Sequence, residues 1–185
     1  QRLRSYVGPP LWYSFGDLGY EGELLANLVT GYRSRYQDHY LDPEPFPGVI
    51  ELLHELRAAG VALATATSKQ APMALAQMEH LGLSSVFDVI AGATPDPASS
   101  KATVIHEALT RLKARGVDTS HPVIVGDSVW DVRGAQEAGI PVIGVGWGYA
   151  TEDGLDEADA VCETVEDLRT YLLDGVAKHA RDRDS

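Results

Sequence analysis

Short apolar runs at residues 61–66, 87–91, 122–126 and 141–145 alternate with stretches whose apolar side chains recur at three- and four-residue intervals. Runs this short are buried strands, and the segments between them are helices. The helices carry Ile50, Leu53 and Leu56 up to Gly60; Pro72 in a first turn, then Leu75, Met78 and Leu81; Val104, Ile105, Ala108, Leu109 and Leu112; and a small-residue helix over 132–138 ended by Gly139. Apolar strands separated by helices define an α/β fold, a Rossmann-like parallel sheet covered on both faces. Such sheets bind ligands at the carboxyl ends of their strands.

The residues before this alternation have a different texture. Leu24, Leu25, Leu28, Val29, Tyr32 and Tyr36 keep helical spacing and no strand interrupts them, until Asp42-Pro43-Glu44-Pro45-Phe46-Pro47-Gly48 breaks the pattern. The expected organisation is a small helical unit over 1–42, a hinge over 43–48, the α/β unit over 49–177 and a charged tail over 178–185. The chain opens at Gln1 within what reads as an element, with no initiator Met, so an upstream segment is expected.

A length of 185 residues with 44% hydrophobic content supports one core, or one core with an accessory unit. The formal charge of -12, from 15 Lys+Arg against 27 Asp+Glu, argues against a nonspecific grip on nucleic acid. The single cysteine, Cys162, excludes an intrachain disulfide and fits a reducing compartment. No apolar run is long enough to span a bilayer and no leader opens the chain, so the expected address is cytoplasmic, with no membrane or nucleic-acid partner. Nothing distinguishes a monomer from a homodimer.

Polar residues cluster where the strands end. Thr67-Ser68-Lys69 follows the first run, on what reads as a loop entering a helix near Gln70; hydroxyls and free amides there suit a phosphate oxygen, or simply cap the helix. Lys101 opens the next helix, where the dipole disfavours a cation. An anion shared with Thr67 would account for it; a solvated lysine is the alternative. Gly126-Asp127-Ser128-Val129-Trp130-Asp131 follows a third run, and carboxylates four residues apart at a strand end and a first helical turn converge on a point that a hard cation can occupy. Magnesium suits that donor set. The alternative is that Asp127 or Ser128 caps the helix and Asp131 is a first-turn acid.

Taken jointly, Thr67-Ser68-Lys69, Ser100-Lys101 and Gly126-Asp127-Ser128-Val129-Trp130-Asp131, continuing as Gly134-Ala135-Gln136-Glu137-Ala138-Gly139-Ile140, resemble motifs two to four of the haloacid dehalogenase-like hydrolases. Val145-Gly146-Trp147-Gly148-Tyr149 and Val7-Gly8-Pro9-Pro10 resemble the phosphoglycolate phosphatase-like branch, in which a helical cap is inserted after the first strand; residues 1–42 correspond to it. The resemblance implies that Thr67 and Ser68 bind the phosphoryl group and that Lys101 neutralises its charge. It further implies that Asp127 ligates magnesium directly, while Asp131 acts through water or by holding Lys101. The implied activity is magnesium-dependent hydrolysis of a small phosphate ester through an aspartyl-phosphate.

The family's first motif, an aspartate nucleophile and a second acid ahead of Gly-Thr, has no counterpart in the chain. Asp17, Asp38 and Asp42 do not follow apolar runs. The nucleophile is therefore expected upstream of Gln1, on the central strand of the sheet. A sugar-phosphate mutase, a phosphonate hydrolase or a catalytically inactive phosphate-binding protein remain alternatives; the paired carboxylates speak against a metal-free dehalogenase. Arg33, Arg35 and Tyr36 either reach toward a leaving group or belong to the cap, and Trp12, Tyr13 and Trp130 either line an entrance or pack.

Overall fold

The computed structural model describes residues 6, 8–96, 98–151 and 153–183. Val7 of the glycine-proline motif, Pro97 of the loop before Lys101, and Gln1 lie outside them. Two helices come first, α1 (Leu11–Asp17) and α2 (Gly22–Tyr36), packed on each other. No regular element occurs between Tyr36 and Val49, and Gly48, at φ 83°, starts α3 (Val49–Ala58) from a conformation that favours glycine. The α/β alternation then runs β1 (Ala64–Gln70), α4 (Ala71–His80), β2 (Val89–Ala93), α5 (Lys101–Ala114), β3 (Ile124–Gly126), α6 (Val129–Ala138), β4 (Val142–Val145), β5 (Ala160–Cys162) and α7 (Val165–Arg183). All strand pairs are parallel, as expected for this alternation.

The sheet is divided. Among the described residues β1 pairs only with β2, and β3, β4 and β5 form a separate ladder in that order. β4 is buried throughout, as a strand covered on both faces must be. β3 is not: its Val125 is 42% exposed, and Val123 just before it is 41% exposed. That exposure marks an uncovered face, and among the described residues β3 has a strand neighbour on one side only.

Helices hold the two ladders in one body. Along 61–66 the side chains alternate: Ala62, Ala64 and Ala66 meet Val104 and Ala108 of α5, while Val61 and Leu63 join Leu52, Leu56, Ile143, Val145 and Leu168. The second cluster therefore ties the approach to β1 to β4 and α7. On the α5 side, α5 also packs on α6, which covers β3 and β4.

Several local expectations need correction. The strand read over 61–66 is displaced, since the ladder begins at Ala64 and continues through Thr67-Ser68-Lys69, which are strand residues and not a loop. A bulge between Thr67 and Gln70 makes this possible. In α3 the fully buried residues are Leu52 and Leu56, with Leu53 to one side. In α4 Ala74 takes the buried position and Leu75 is 45% exposed. Helix α6 starts at Val129, with Ser128 as N-cap, and stops at Gly139, φ 71°. Helix α7 runs through Arg183 and so includes most of the alternating-charge stretch.

Asp88 anchors the entry to both strands of the first ladder. Its carboxylate accepts the Leu63 amide at 2.9 Å and an Arg57 guanidinium N–H at 2.6 Å. Burial works to raise its pKa, but the Leu63 amide and Arg57 together outweigh it and hold the carboxyl below the usual range. A depressed folded-state pKa contributes stability above the unfolded value, lost as pH falls through the folded one. Asp88→Asn is expected to cost about 1–3 kcal/mol at neutral pH. In urea titrations that gap should close progressively below about pH 4; a gap independent of pH would refute the assignment.

Candidate functional site

Polar side chains meet where β1, α5 and β3 end or begin. The bulge that closes β1 depends on Gly92 in β2: a Cβ there would lie 2.6 Å from the Lys69 carbonyl oxygen and 2.9 Å from Ala71 backbone atoms. Within the bulge the Thr67 hydroxyl accepts the Lys69 amide at 3.1 Å. Ser68 and Lys101 line a small void of about 20 Å³ together with Pro10, Ser99 and Ser100.

Lys101 is the first residue of α5, placed by a capping box in which Ser100 and Thr103 exchange side-chain and backbone hydrogen bonds. Its ammonium donates to the Ala66 carbonyl at 2.8 Å and pairs with Asp131 Oδ1 at 2.8 Å, with 14% and 12% of the two side chains exposed. A cation at a helix N-terminus is thus compensated from within the protein, by Asp131. Asp131 Oδ2 accepts the Ser128 hydroxyl at 2.7 Å and the Asp127 amide at 3.2 Å. Both oxygens of Asp131 are engaged, so this residue positions its neighbours.

Close approach requires two glycines here. A Cβ on Gly126 would fall 2.2 Å from Asp131 Cβ, and one on Gly134 would fall 2.2 Å from Lys101 Cγ. The spacing of Gly126 and Gly134 around the acidic pair is therefore steric in origin.

Asp127, at the end of β3, accepts the Tyr149 amide on Oδ2 at 3.0 Å. The loop after β4 supplies that donor, and Gly148 lets it approach: a Cβ there would be 2.3 Å from Asp127 Cβ. Tyr149 and Gly148 were not identified as site residues from the sequence, because a backbone amide has no sequence signature; the glycine flanking it was the available signal. Burial, and after it the charge of Asp131, push the Asp127 carboxyl above its usual range, against the lowering effect of the Tyr149 amide. A divalent cation would relieve both pressures. Two carboxylates with their hydroxyl neighbour fit magnesium, which needs few protein oxygens and takes its remaining ligands from water and substrate. No group of three or more His, Cys, Asp or Glu side chains suited to a metal occurs among the described residues.

The helical pair meets this site from the N-terminal side. Gly8, at φ +104°, passes Ser128, whose Oγ would lie 3.3 Å from an added Cβ. Tyr13 of α1 packs edge-on against Trp130, 4.4 Å between centroids, and Arg133 lies over the Trp130 ring. Trp130 is thus a packing residue between helices. Tyr36 stacks on Tyr32, and Arg35 lines an open groove with both.

Fold and site define a parallel α/β protein that gathers carboxylates, hydroxyls and an ammonium group at strand ends. Residues 1–145 match the profile of the haloacid dehalogenase-like hydrolases, and the chain belongs to that family. It is 37% identical over 172 residues to tyrosine-protein kinase PtkA of Mycobacterium tuberculosis, covering 90% of this chain and 58% of that protein. It is 36% identical over 129 residues to phosphoglycolate phosphatase of Caulobacter vibrioides, covering 70% of this chain and 52% of that protein. The chain therefore spans little more than half the length of these relatives. Among solved structures, one described as a predicted phosphatase from Clostridium acetobutylicum superimposes with a TM-score of 0.85 at 28% identity, covering 94% of this chain and 81% of that one.

Gly134→Ala tests the close packing of α6 on Lys101. In an ordinary helix interior the change would stabilise by about 1 kcal/mol. Here it is expected to destabilise by about 1–3 kcal/mol, because Lys101 must move. Thermal or urea unfolding decides the sign.

Proposed function

We propose that this chain is the greater part of a magnesium-dependent phosphatase acting on a small phosphorylated metabolite. The observation that carries the reading is the linked set Lys101, Asp131, Ser128 and Asp127 at the ends of parallel strands. Phosphoryl transfer is catalysed by positioning and by neutralising charge on the equatorial oxygens, and this set provides for both. Relatives named for a kinase and for a phosphatase have phosphoryl chemistry in common, and the hydrolase family favours water as the acceptor.

In this reading Thr67 and Ser68 hydrogen-bond the transferring group from the bulge. Lys101 offsets its charge while Asp131 fixes the ammonium's direction. Asp127 would hold magnesium directly, and Asp131 would support it through water. Bound magnesium would neutralise ester oxygens and the acidic pair. A nucleophilic carboxylate attacks phosphorus as the ester P–O bond breaks, and the leaving oxygen takes a proton from the second acid of the family's first motif. Water, giving a proton back to that acid, then attacks the aspartyl-phosphate, releasing phosphate and freeing the carboxylate. We place that carboxylate on a strand seated between β1 and β3, whose edges toward one another carry no ladder among the described residues. The protein acts in the cytoplasm on a small-molecule ester, as monomer or homodimer. Among the described residues no helix is long and apolar enough to cross a membrane.

A second reading, an inactive phosphate-binding protein, is favoured by one observation: no apolar run in these 185 residues is followed by Asp-x-Asp-Gly-Thr. Calorimetric titration with inorganic phosphate, with and without magnesium, combined with phosphate release from phosphoglycolate by protein that carries the strand proposed between β1 and β3, separates the two. The phosphatase reading expects magnesium-dependent binding and release, with Asp127→Asn weakening the magnesium-dependent part at least tenfold, about 1.4 kcal/mol. Binding without release would favour the second reading. Absence of phosphate binding would overturn both.

A further inference from the structure

The linker over 43–48 carries one large apolar side chain, Phe46, and connecting two units does not require it. Pro43, Pro45 and Pro47 alternate with Glu44, Phe46 and Gly48. Each proline fixes its own φ and restricts the residue before it to extended conformations, so Phe46, set between two prolines, has few directions open to it. Its ring lies against Tyr149, 6.0 Å between centroids with the planes tilted by 59°. Phe46 is 39% exposed and Tyr149 48%, so the pair belongs to no core. What the contact does reach is the residue whose amide donates to Asp127.

The loop carrying Tyr149 has little slack. Gly148 passes so close to Asp127 that an added Cβ would lie 2.3 Å from the Asp127 Cβ. Before it, the Gly146 amide donates to the Cys162 carbonyl at 2.9 Å, and Trp147 packs on the cluster of Leu52, Leu56 and Ile143. After it, Ala150 packs on the cluster of Val132, Ala135 and Leu155. Both flanks are therefore anchored in the α/β unit, and the Tyr149 ring between them rests on the linker. A second contact has the same form: Tyr13 of α1 meets Trp130 edge-on, and Trp130 adjoins Asp131. The helical pair and its linker thus each set an aromatic ring against a residue bonded or adjacent to one of the two acids.

We propose that Phe46 is a positioning residue for the metal site. Through the Tyr149 ring it holds the Tyr149 amide on Asp127, and so couples the conformation of the linker to the affinity of the acidic pair for magnesium. The inference rests on the magnesium reading given above and concerns what sets Asp127 in place. Coupling of this kind is reciprocal: a cation that fixes Asp127 also favours the Phe46–Tyr149 contact.

The test uses protein that carries the strand proposed between β1 and β3, with magnesium alone as the ligand. Calorimetry gives the magnesium Kd, and hydrogen exchange followed by NMR gives the protection of the Tyr149 amide. Phe46→Ala is expected to weaken magnesium binding by about 2- to 10-fold, the range that an aromatic pair contributes, and to speed exchange at Tyr149 relative to Gly146. Phe46→Tyr, which keeps the ring, should restore both. In a Tyr149→Ala background, replacing Phe46 should change the Kd no further, because the contact is already gone. Phe46→Leu takes the place of the alanine variant, with the same expectations, if the latter loses its folded signal. Unchanged magnesium affinity on loss of the ring, or equal weakening with and without the Tyr149 side chain, overturns the inference and leaves the metal reading standing. Failure of the unaltered protein to bind magnesium overturns the metal reading, and this inference with it.

Discussion

The ammonium of Lys101 is the point on which the two halves of the structure depend. It bonds the Ala66 carbonyl in one ladder and Asp131, beside the other ladder, so one side chain crosses the interval between β1 and β3. Such a pair is little exposed, and removing one partner strands the other charge at a cost of about 3–5 kcal/mol. The sequence around it has been shaped to that contact. Ser100 and Thr103 fix the start of α5, Gly134 gives the lysine stem room against α6, and Gly126 lets Asp131 fold back over the end of β3. Ser128 and the Asp127 amide then occupy the second oxygen of Asp131, which leaves that carboxylate little freedom to rotate.

Electrostatic roles divide between the two acids because their surroundings differ. Asp131 sits among donors: an ammonium, a hydroxyl and an amide. Asp127 has the Tyr149 amide, and burial and its acidic neighbour together raise its pKa. The acid with the less satisfied charge is the one a cation would benefit most. This asymmetry follows from strand order, since Asp127 lies at the tip of β3 and Asp131 is one turn into α6, facing Lys101.

Much of this was legible from residue patterns because the signals are local. Apolar runs bounded by glycine and proline located the strands to within a few residues, Gly139 stopped α6, and Asp127 and Asp131 were visible as a pair at a strand end. Distant partners were not legible. Thr67-Ser68-Lys69 looked like a loop because hydroxyl residues cap helices, whereas the bulge that keeps them in β1 is permitted by Gly92, in a neighbouring strand. β5, at Ala160–Cys162, is too short to give a periodic signal, and α7 begins in a polar stretch. Leu75 fitted the helical stripe of α4 but Ala74 is the residue buried there, since periodicity marks a face without fixing its centre.

The side of β3 away from β4 bears on how the site is completed. Parallel sheets of this kind bury both faces of their inner strands, and β4 obeys that rule in full. β3 and β1 are held at the same end by Lys101 but share no ladder, so among the described residues their facing backbone groups have no strand partner. An extended segment between them would satisfy those groups and end beside Lys101, Thr67 and Asp127. The side chains that would handle a phosphoryl group therefore border the interval itself. A nucleophile delivered there would have the ammonium, the hydroxyls and the acidic pair within the reach of single side chains, which is the positioning that phosphoryl transfer requires.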